Sequence, residues 1–338
     1  MTTDIAVGVV GTGRIARVHA AAYRSVRGAS LVSCMDVDGA TARAFADDFG
    51  LKTAESFEAM IGDPDIDALI IATPNSLHAQ QTIAALAAGK HVFCQKPIAL
   101  DLADARLVAG AAASSDRVLQ FGFMLRFTPP LPALRSRIAA GELGKLIASQ
   151  SAVFGWEPNN EWFYDPRHGG GVILDTLVHF VDLVLWVFSD VDRVHTEGGA
   201  FELEGAKKYG SPDNATVTLH HSNGATSSMY VSWTSGYGNF RFDVFGTAGS
   251  AGVDLVQKQT MTAFHKPEAG SAGPRDGWEY PDLVWDYGYA GEQQYFVDHI
   301  LGRVAGGVGA TAQEALKALE VAMAAQRSLD EARVVTLP

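Results

Sequence analysis

Cysteine is scarce, with only Cys34 and Cys94 in 338 residues. Each lies in a short apolar run, Leu-Val-Ser-Cys-Met and His-Val-Phe-Cys, of the kind found in buried strands, so neither a disulfide framework nor a metal site is expected. No stretch approaches the roughly 20 apolar residues of a membrane-spanning helix. The chain enters Ile-Ala-Val-Gly-Val-Val without a basic leader and a cleavable apolar core, which makes a cytoplasmic location the expectation. Low-complexity polar tracts are also missing, which excludes a largely disordered chain. Basic side chains are in deficit, 26 Lys and Arg against 38 Asp and Glu, and the formal charge of −12 repels nucleic acid and anionic membranes. A small-molecule partner is the expectation.

What is present is a core. Hydrophobic residues make up 47% of a chain longer than a single core usually serves, so two domains are expected, with a boundary placed at 122/123. Residues 5–10 read as a buried strand running into Gly11-Thr12-Gly13-Arg14-Ile15-Ala16, and helical composition follows. This is Gly-x-Gly-x-x-Ala in its strand–turn–helix context. Gly11 permits the tight turn, Gly13 lets backbone approach a pyrophosphate, Ala16 allows close packing, and Arg14 and Ile15 open the helix whose N–H groups face the phosphates. A second strand, Leu31 to Met35, ends in Asp36, 25 residues after Gly11, where an acid accepts hydrogen bonds from a ribose. That carboxylate repels a 2′-phosphate and no Arg follows in Val37-Asp38, so NAD is expected in preference to NADP.

Strands and helices continue to alternate through 40–94, which predicts a parallel, doubly wound sheet of α/β class. Thr73-Pro74-Asn75, His78 and Gln95-Lys96-Pro97 fall at the carboxyl ends of strands, where ligands bind in such folds. Lys96 is placed to orient a hydroxyl and the nicotinamide ribose, or else is a solvated lysine at a strand end. His78 either contributes to this site or serves as a helix cap or surface residue.

Further on, Asp175, His179 and Asp182 punctuate the otherwise apolar stretch 172–188. On an α-helix they share one stripe spanning about 60°. Polar groups on a helix apolar all round either satisfy one another in a structural network or line a ligand-bearing cavity. The preceding segment, from Gly155-Trp156-Glu157-Pro158-Asn159 to Gly171, is rich in aromatics, prolines and glycines and reads as a binding loop suited to sugar rings and hydroxyls, or else as an ordinary surface loop pinned by its aromatics. Residues 215–246 alternate with period two and predict antiparallel strands. Residues 256–287, with Lys258, Lys266, Pro267, Pro274 and Pro281, read as long connections between short strands, and 312–329 as an amphipathic helix.

Taken together, Gly11-Thr12-Gly13-Arg14-Ile15-Ala16, Asp36, Thr73-Pro74-Asn75 with His78, Gln95-Lys96-Pro97, Asp175-x-x-x-His179 and Phe245-Gly246-Thr247-Ala248-Gly249-Ser250 resemble the glucose-fructose oxidoreductase, inositol dehydrogenase and MocA family. The resemblance implies an N-terminal Rossmann domain and a C-terminal α+β domain with an open-faced, mainly antiparallel sheet, often in a homo-oligomer. It implies oxidation or reduction of sugars, sugar acids, polyols or cyclitols. Lys96, Asp175 and His179 correspond to the family's catalytic groups. Two positions depart from its pattern: Gln95 stands where a glutamate is usual, and Leu177 where a glycine is.

The mechanism expected on this basis is NAD-dependent oxidation of a secondary alcohol. His179 removes the hydroxyl proton, Asp175 orients the imidazole, and Lys96 binds the reacting oxygen. Arg126, Trp162, Tyr164 and Arg167 are the expected substrate contacts. Two alternatives stay open: a redox-neutral isomerase, lyase or glycosidase using the same hydride step, and a nucleotide-sensing regulator.

Overall fold

The computed structural model describes residues 4–155, 157–158, 160–256, 260–265, 277–280 and 287–338. Trp156 and Asn159 of the expected binding loop, and Lys258, Lys266, Pro267, Pro274 and Pro281 further on, lie outside the described residues.

The alternating first third folds into β1 (Ile5–Val10), α1 (Arg14–Ala22), β2 (Ala29–Met35), α2 (Gly39–Phe49), β3 (Lys52–Thr53), α3 (Phe57–Gly62), β4 (Ala68–Ile71), α4 (His78–Ala87), β5 (His91–Cys94), α5 (Leu102–Ala113) and β6 (Leu119–Phe121). All six strands are parallel, in the order β3-β2-β1-β4-β5-β6. The central strands β1 and β4 are largely or fully buried and are continuous apolar runs. Val10 is level with both Met35 and Ile71, and Ile71 with Cys94. The residues that follow, Gly11, Asp36, Ala72 and Gln95, therefore emerge side by side at one edge. Strand order reverses between β1 and β4, and the crevice at that reversal is where such sheets bind ligands. Burial pushes the Cys34 thiol up to about 11 and the Cys94 thiol up to about 12, so both are inert apolar side chains.

The chain continues through α6 (Pro130–Ala139), β7 (Leu146–Phe154), a π-helical turn (Ile173–Leu177) that runs into α7 (Val178–Val187), β8 (Val191–Gly199), α8 (Glu204–Tyr209), β9 (Asn214–His221), β10 (Thr226–Ser232), β11 (Asn239–Gly246), β12 (Gly249–Asp254), β13 (Thr260–His265) and β14 (Gly277–Tyr280). It closes with α9 (Tyr289–Ile300), α10 (Ala312–Glu331) and β15 (Val335–Thr336). The second sheet runs β14-β13-β12-β11-β7-β10-β9-β8-β15 and is antiparallel except between β7 and β10.

Two features differ from expectation, the place of β7 and the winding of 173–177. β10 and β11 follow one another in sequence, yet β7 lies between them, because a strand some 70 residues upstream pairs with both. The short strands expected within 256–287 are β13 and β14. The stripe on 172–188 begins in a π-helical turn, whose wider winding replaces the α-helical arc assumed for Asp175 and His179.

The chain divides into two compact units, 1–127 with 287–319 and 128–286 with 320–338. The first thus extends five residues past the boundary expected from sequence and takes in a distant segment. The reason is long-range packing: Phe296 and Val297 of α9 join Val7, Val9, Ile70 and Phe93 in one core, and the Phe121 amide donates to the Ala310 carbonyl at 3.0 Å. Among the described residues, no helix is long and apolar enough to cross a membrane.

Candidate active site

In the first unit the glycine-rich turn has the features its sequence demands. Gly11 has φ +82°, and a Cβ there would lie 2.7 Å from the Ala72 carbonyl oxygen, so only glycine fits. Gly13 caps α1 without a side-chain bond, and a Cβ on it would meet nothing within 4 Å. Open space over a helix N-terminus is what a pyrophosphate requires. Arg14, exposed, and Ile15, half-buried, begin that helix. Asp36 is tied to the turn, since its Oδ2 accepts the Thr12 N–H at 2.8 Å and the Thr12 hydroxyl at 3.0 Å, while its Oδ1 accepts the Asp38 N–H at 3.0 Å. These residues fit a dinucleotide: an open phosphate cradle with a carboxylate fixed beside it.

At the neighbouring strand ends, Thr73 donates its hydroxyl to Gln81 at 2.6 Å, Pro74 is exposed, and Asn75 is buried at the head of α4. His78 is neither a cap nor a surface group. Its ring is fully buried, with Nδ1 2.8 Å from the Pro97 carbonyl oxygen and Nε2 3.0 Å from that of Thr73. It therefore links the loop after β4 to the loop after β5, the one that carries Lys96. Burial lowers its pKa, against the pull of the two carbonyls, and the Lys96 charge adds to the lowering. Lys96 itself is half-buried.

Gln95, the position where the family pattern has glutamate, points inward. Its amide bonds His19 Nε2, and His19 Nδ1 lies 3.0 Å from the Gln293 amide. Burial drives the His19 pKa down to about 3, so the ring is neutral at physiological pH. A neutral imidazole offers one donor and one acceptor, so one glutamine gives its N–H to the ring and the other accepts from it. Gly122 makes the space, for a Cβ there would lie 2.7 Å from the Gln95 amide nitrogen. The amide at position 95 thus matches a neutral partner, and no buried charge stands there. Sequence reading missed His19 and Gln293, which are 274 residues apart and carry no local sign of pairing.

In the second unit, Asp175 lies buried within the π-helical turn, His179 is half-buried in the first turn of α7, and Asp182 is buried one turn later. The Thr176 hydroxyl is 3.3 Å from Asp175 Oδ2 and accepts the Trp233 indole N–H at 2.9 Å. The loop before this segment is held by its own contacts. The Tyr164 ring is buried edge-on to Trp233, at 5.5 Å and 88°. Trp162 stacks on Phe163 with centroids 3.8 Å apart. Arg167 chelates Asp165 with contacts of 2.6, 3.0 and 3.2 Å and holds that carboxyl down at about 2. Lys208 of α8 pairs with Glu161.

The four expected substrate contacts differ in exposure. Trp162 and Arg167 lie in the loop with exposed or half-exposed side chains, whereas Tyr164 packs inward. Arg126, in the first unit, is 1% exposed, and its guanidinium bonds Glu314 of α10 at 2.8 Å and the Val308 carbonyl at 3.3 Å. It acts as an internal tie. Nothing in the local sequence Met-Leu-Arg-Phe announces a partner 188 residues away.

Comparison with known proteins identifies the family. Residues 5–123 match the model of an oxidoreductase family described as NAD-binding Rossmann fold, and residues 132–252 match the GFO/IDH/MocA C-terminal domain. The 1,5-anhydro-D-fructose reductase of Ensifer adhaerens is 34% identical over 75% of this chain and 76% of its own length. The myo-inositol 2-dehydrogenase of Thermotoga maritima is 29% identical over 98% of both. Among solved structures, GenD2 from gentamicin A biosynthesis, in complex with NAD, is 25% identical with a TM-score of 0.87, covering 100% of this chain and 97% of that one. With a six-stranded parallel sheet bearing the glycine turn and a second, mainly antiparallel sheet, the chain belongs to the glucose-fructose oxidoreductase, inositol dehydrogenase and MocA family of NAD-binding oxidoreductases.

Proposed function

We propose that the protein is a cytoplasmic NAD-dependent dehydrogenase that moves hydride between a secondary hydroxyl of a sugar, sugar acid, polyol or cyclitol and nicotinamide. The observation that carries this reading is the open Gly11–Gly13 turn with Asp36 bonded to it, on a chain that also bears Lys96 just past β5 and Asp175 with His179 on one largely buried segment. Relatives named as a reductase of an anhydro sugar and a dehydrogenase of an inositol support the substrate class.

Gly11, Gly13, Arg14, Ile15, Asp36, Thr73, Pro74, Asn75, His78, Gln95 and Lys96 form or support the cofactor site. The Asp36 carboxylate, already turned toward Thr12, offers its remaining lone pairs to ribose hydroxyls and repels a 2′-phosphate, which favours NAD over NADP. The nicotinamide, when bound, supplies the hydride acceptor. His179 takes the hydroxyl proton as the C–H bond breaks and the carbonyl forms, and histidine titrates in the range that suits this task. Asp175 orients the imidazole and stabilises its charged form. Lys96 donates a hydrogen bond to the reacting oxygen. Trp162 and Arg167 meet the substrate.

The test is to mix the protein with NAD, and separately NADP, against cyclitols, aldoses, sugar acids and anhydro sugars, following reduced-nicotinamide absorbance and analysing the products. Stoichiometric NADH with one substrate class is the expected result. Altered sugar without reduced cofactor would replace this reading with a redox-neutral one.

A further inference from the structure

We propose that Trp233 and Thr176 are positioning residues that orient the Asp175 carboxylate, and that Tyr164 couples the substrate loop to this relay. The proposal rests on the reading of Asp175 as the group that orients the general base.

The direction of the relay follows from donor chemistry. An indole N–H can only donate, so in the 2.9 Å contact Thr176 Oγ1 must accept from Trp233 Nε1. A hydroxyl has a single proton. With a lone pair committed to the indole, that proton points away from Trp233 and toward Asp175 Oδ2, 3.3 Å distant. The distance is long for a hydroxyl–carboxylate bond, commonly about 2.7 Å, so the relay tightens when a charged imidazole pulls the carboxylate into line. Threonine in a helix has two accessible χ1 rotamers, and the bond from the Trp233 indole holds Thr176 in one of them. The backbone here is the π-helical turn, an irregularity that recurs at functional sites.

Trp233 is itself immobilised. It is 2% exposed, and its backbone N–H donates to the Asp213 carbonyl at 2.9 Å. The Asp213 carboxylate accepts the amides of Phe201, Glu202 and Leu203, at 2.8 to 3.1 Å, at the entrance to α8. Tyr164 closes on Trp233 from the loop side. Its ring fits only because α8 has a glycine opposite, since a Cβ on Gly205 would lie 2.4 Å from the ring. One line of contacts therefore joins the 160–171 loop to the indole, and the indole through Thr176 to Asp175.

The experiment compares Thr176→Val, Thr176→Ser, Trp233→Phe and the Val/Phe double variant for kcat, KM and melting temperature on the substrate that the wild type oxidises. Valine keeps the shape and removes the hydroxyl, and phenylalanine keeps a ring and removes the N–H. The expected outcome is a fall in kcat of about tenfold for Thr176→Val and for Trp233→Phe with KM within about twofold, the scale set by a misoriented catalytic group. Serine at 176 restores most of the loss, and the double variant is no slower than Thr176→Val alone because one relay is broken once. In the folded apoprotein the Trp233 indole N–H resonance shifts in Thr176→Val and returns in Thr176→Ser. Full kcat in Thr176→Val, failure of serine to rescue, additive losses in the double variant, or an unmoved indole resonance would each overturn the relay while the dehydrogenase reading stands. A wild type without dehydrogenase turnover overturns that reading and this proposal with it.

Discussion

The Asp36 carboxylate accepts both the backbone N–H and the hydroxyl of Thr12, at 2.8 and 3.0 Å, so the acid that ends β2 also fixes the glycine turn after β1. One side chain thereby fixes the glycine turn, and in the proposed cofactor site it is also held in place for the ribose. Asp36→Ala removes both effects, and NAD affinity falls roughly tenfold to a hundredfold while NADP affinity falls less, because the repulsion of a 2′-phosphate goes too. Thr12→Val weakens NAD binding without changing the NAD/NADP ratio. Fluorescence titration of both cofactors against the variants checks this, and an unchanged ratio in Asp36→Ala would refute the discriminating role.

Lys96→Met, Asp175→Asn and His179→Ala are expected to lower kcat by about 10²–10⁴-fold, the range for general acid–base groups. NAD affinity should change little in the Asp175 and His179 variants, which lie in the unit without the glycine turn. Undiminished turnover in His179→Ala would remove that residue from the mechanism.

His19 gives the native state a defined acid sensitivity. Its pKa is about 3 in the fold against 6.5 when unfolded. Between those values the unfolded chain binds the proton that the native chain refuses, so stability rises with pH across this window and is lost as pH falls from about 6.5 toward 3. One such group contributes up to ~1.4 kcal/mol per pH unit. Urea unfolding at pH 7 and pH 5 should show His19→Gln losing less stability than the wild type by up to about 2 kcal/mol. Parallel pH dependence in the two proteins would show that His19 is protonated in the native state.

Gln95→Glu tests the neutral chain from the other side. A carboxylate accepts only, so the ring must donate to it, and the His19 titration midpoint should rise well above 3 as an ion pair forms in the interior. Buried pairs recover their desolvation cost poorly, and a stability loss of about 1–3 kcal/mol is expected. Proton–nitrogen NMR of the imidazole follows the titration, and a His19 that stays neutral to pH 4 in the variant would show that the amide is not its partner.

For Arg126 the expectation is a structural penalty rather than a binding one. Arg126→Met leaves Glu314 half-exposed without its 2.8 Å partner and should cost about 1–3 kcal/mol, less than for a fully buried pair because water screens the remaining charge. KM for whichever substrate the wild type oxidises stays within about twofold. A large rise in KM at unchanged melting temperature would return Arg126 to the substrate.

Much was legible along the chain. The Gly11–Ala16 turn, the strand-end placement of Asp36 and Lys96, the parallel α/β unit and the final helix all follow from local rules: apolar period, glycine geometry and the spacing of a βαβ unit. These depend on neighbours a few residues apart, so sequence alone determined them. Tertiary structure decided whatever depends on partners far apart in the chain. It placed β7 between β10 and β11, drew α9 into the nucleotide-binding core, gave Arg126 to Glu314, turned Tyr164 inward and set Gln95 against His19. It also wound 173–177 as a π-helical turn, where an ideal 3.6-residue period had put Asp175 and His179 on a plain α-helical stripe. The physical reason is common to all of these. A buried polar group takes whichever partner satisfies its hydrogen bonds, and packing chooses that partner without regard to sequence distance.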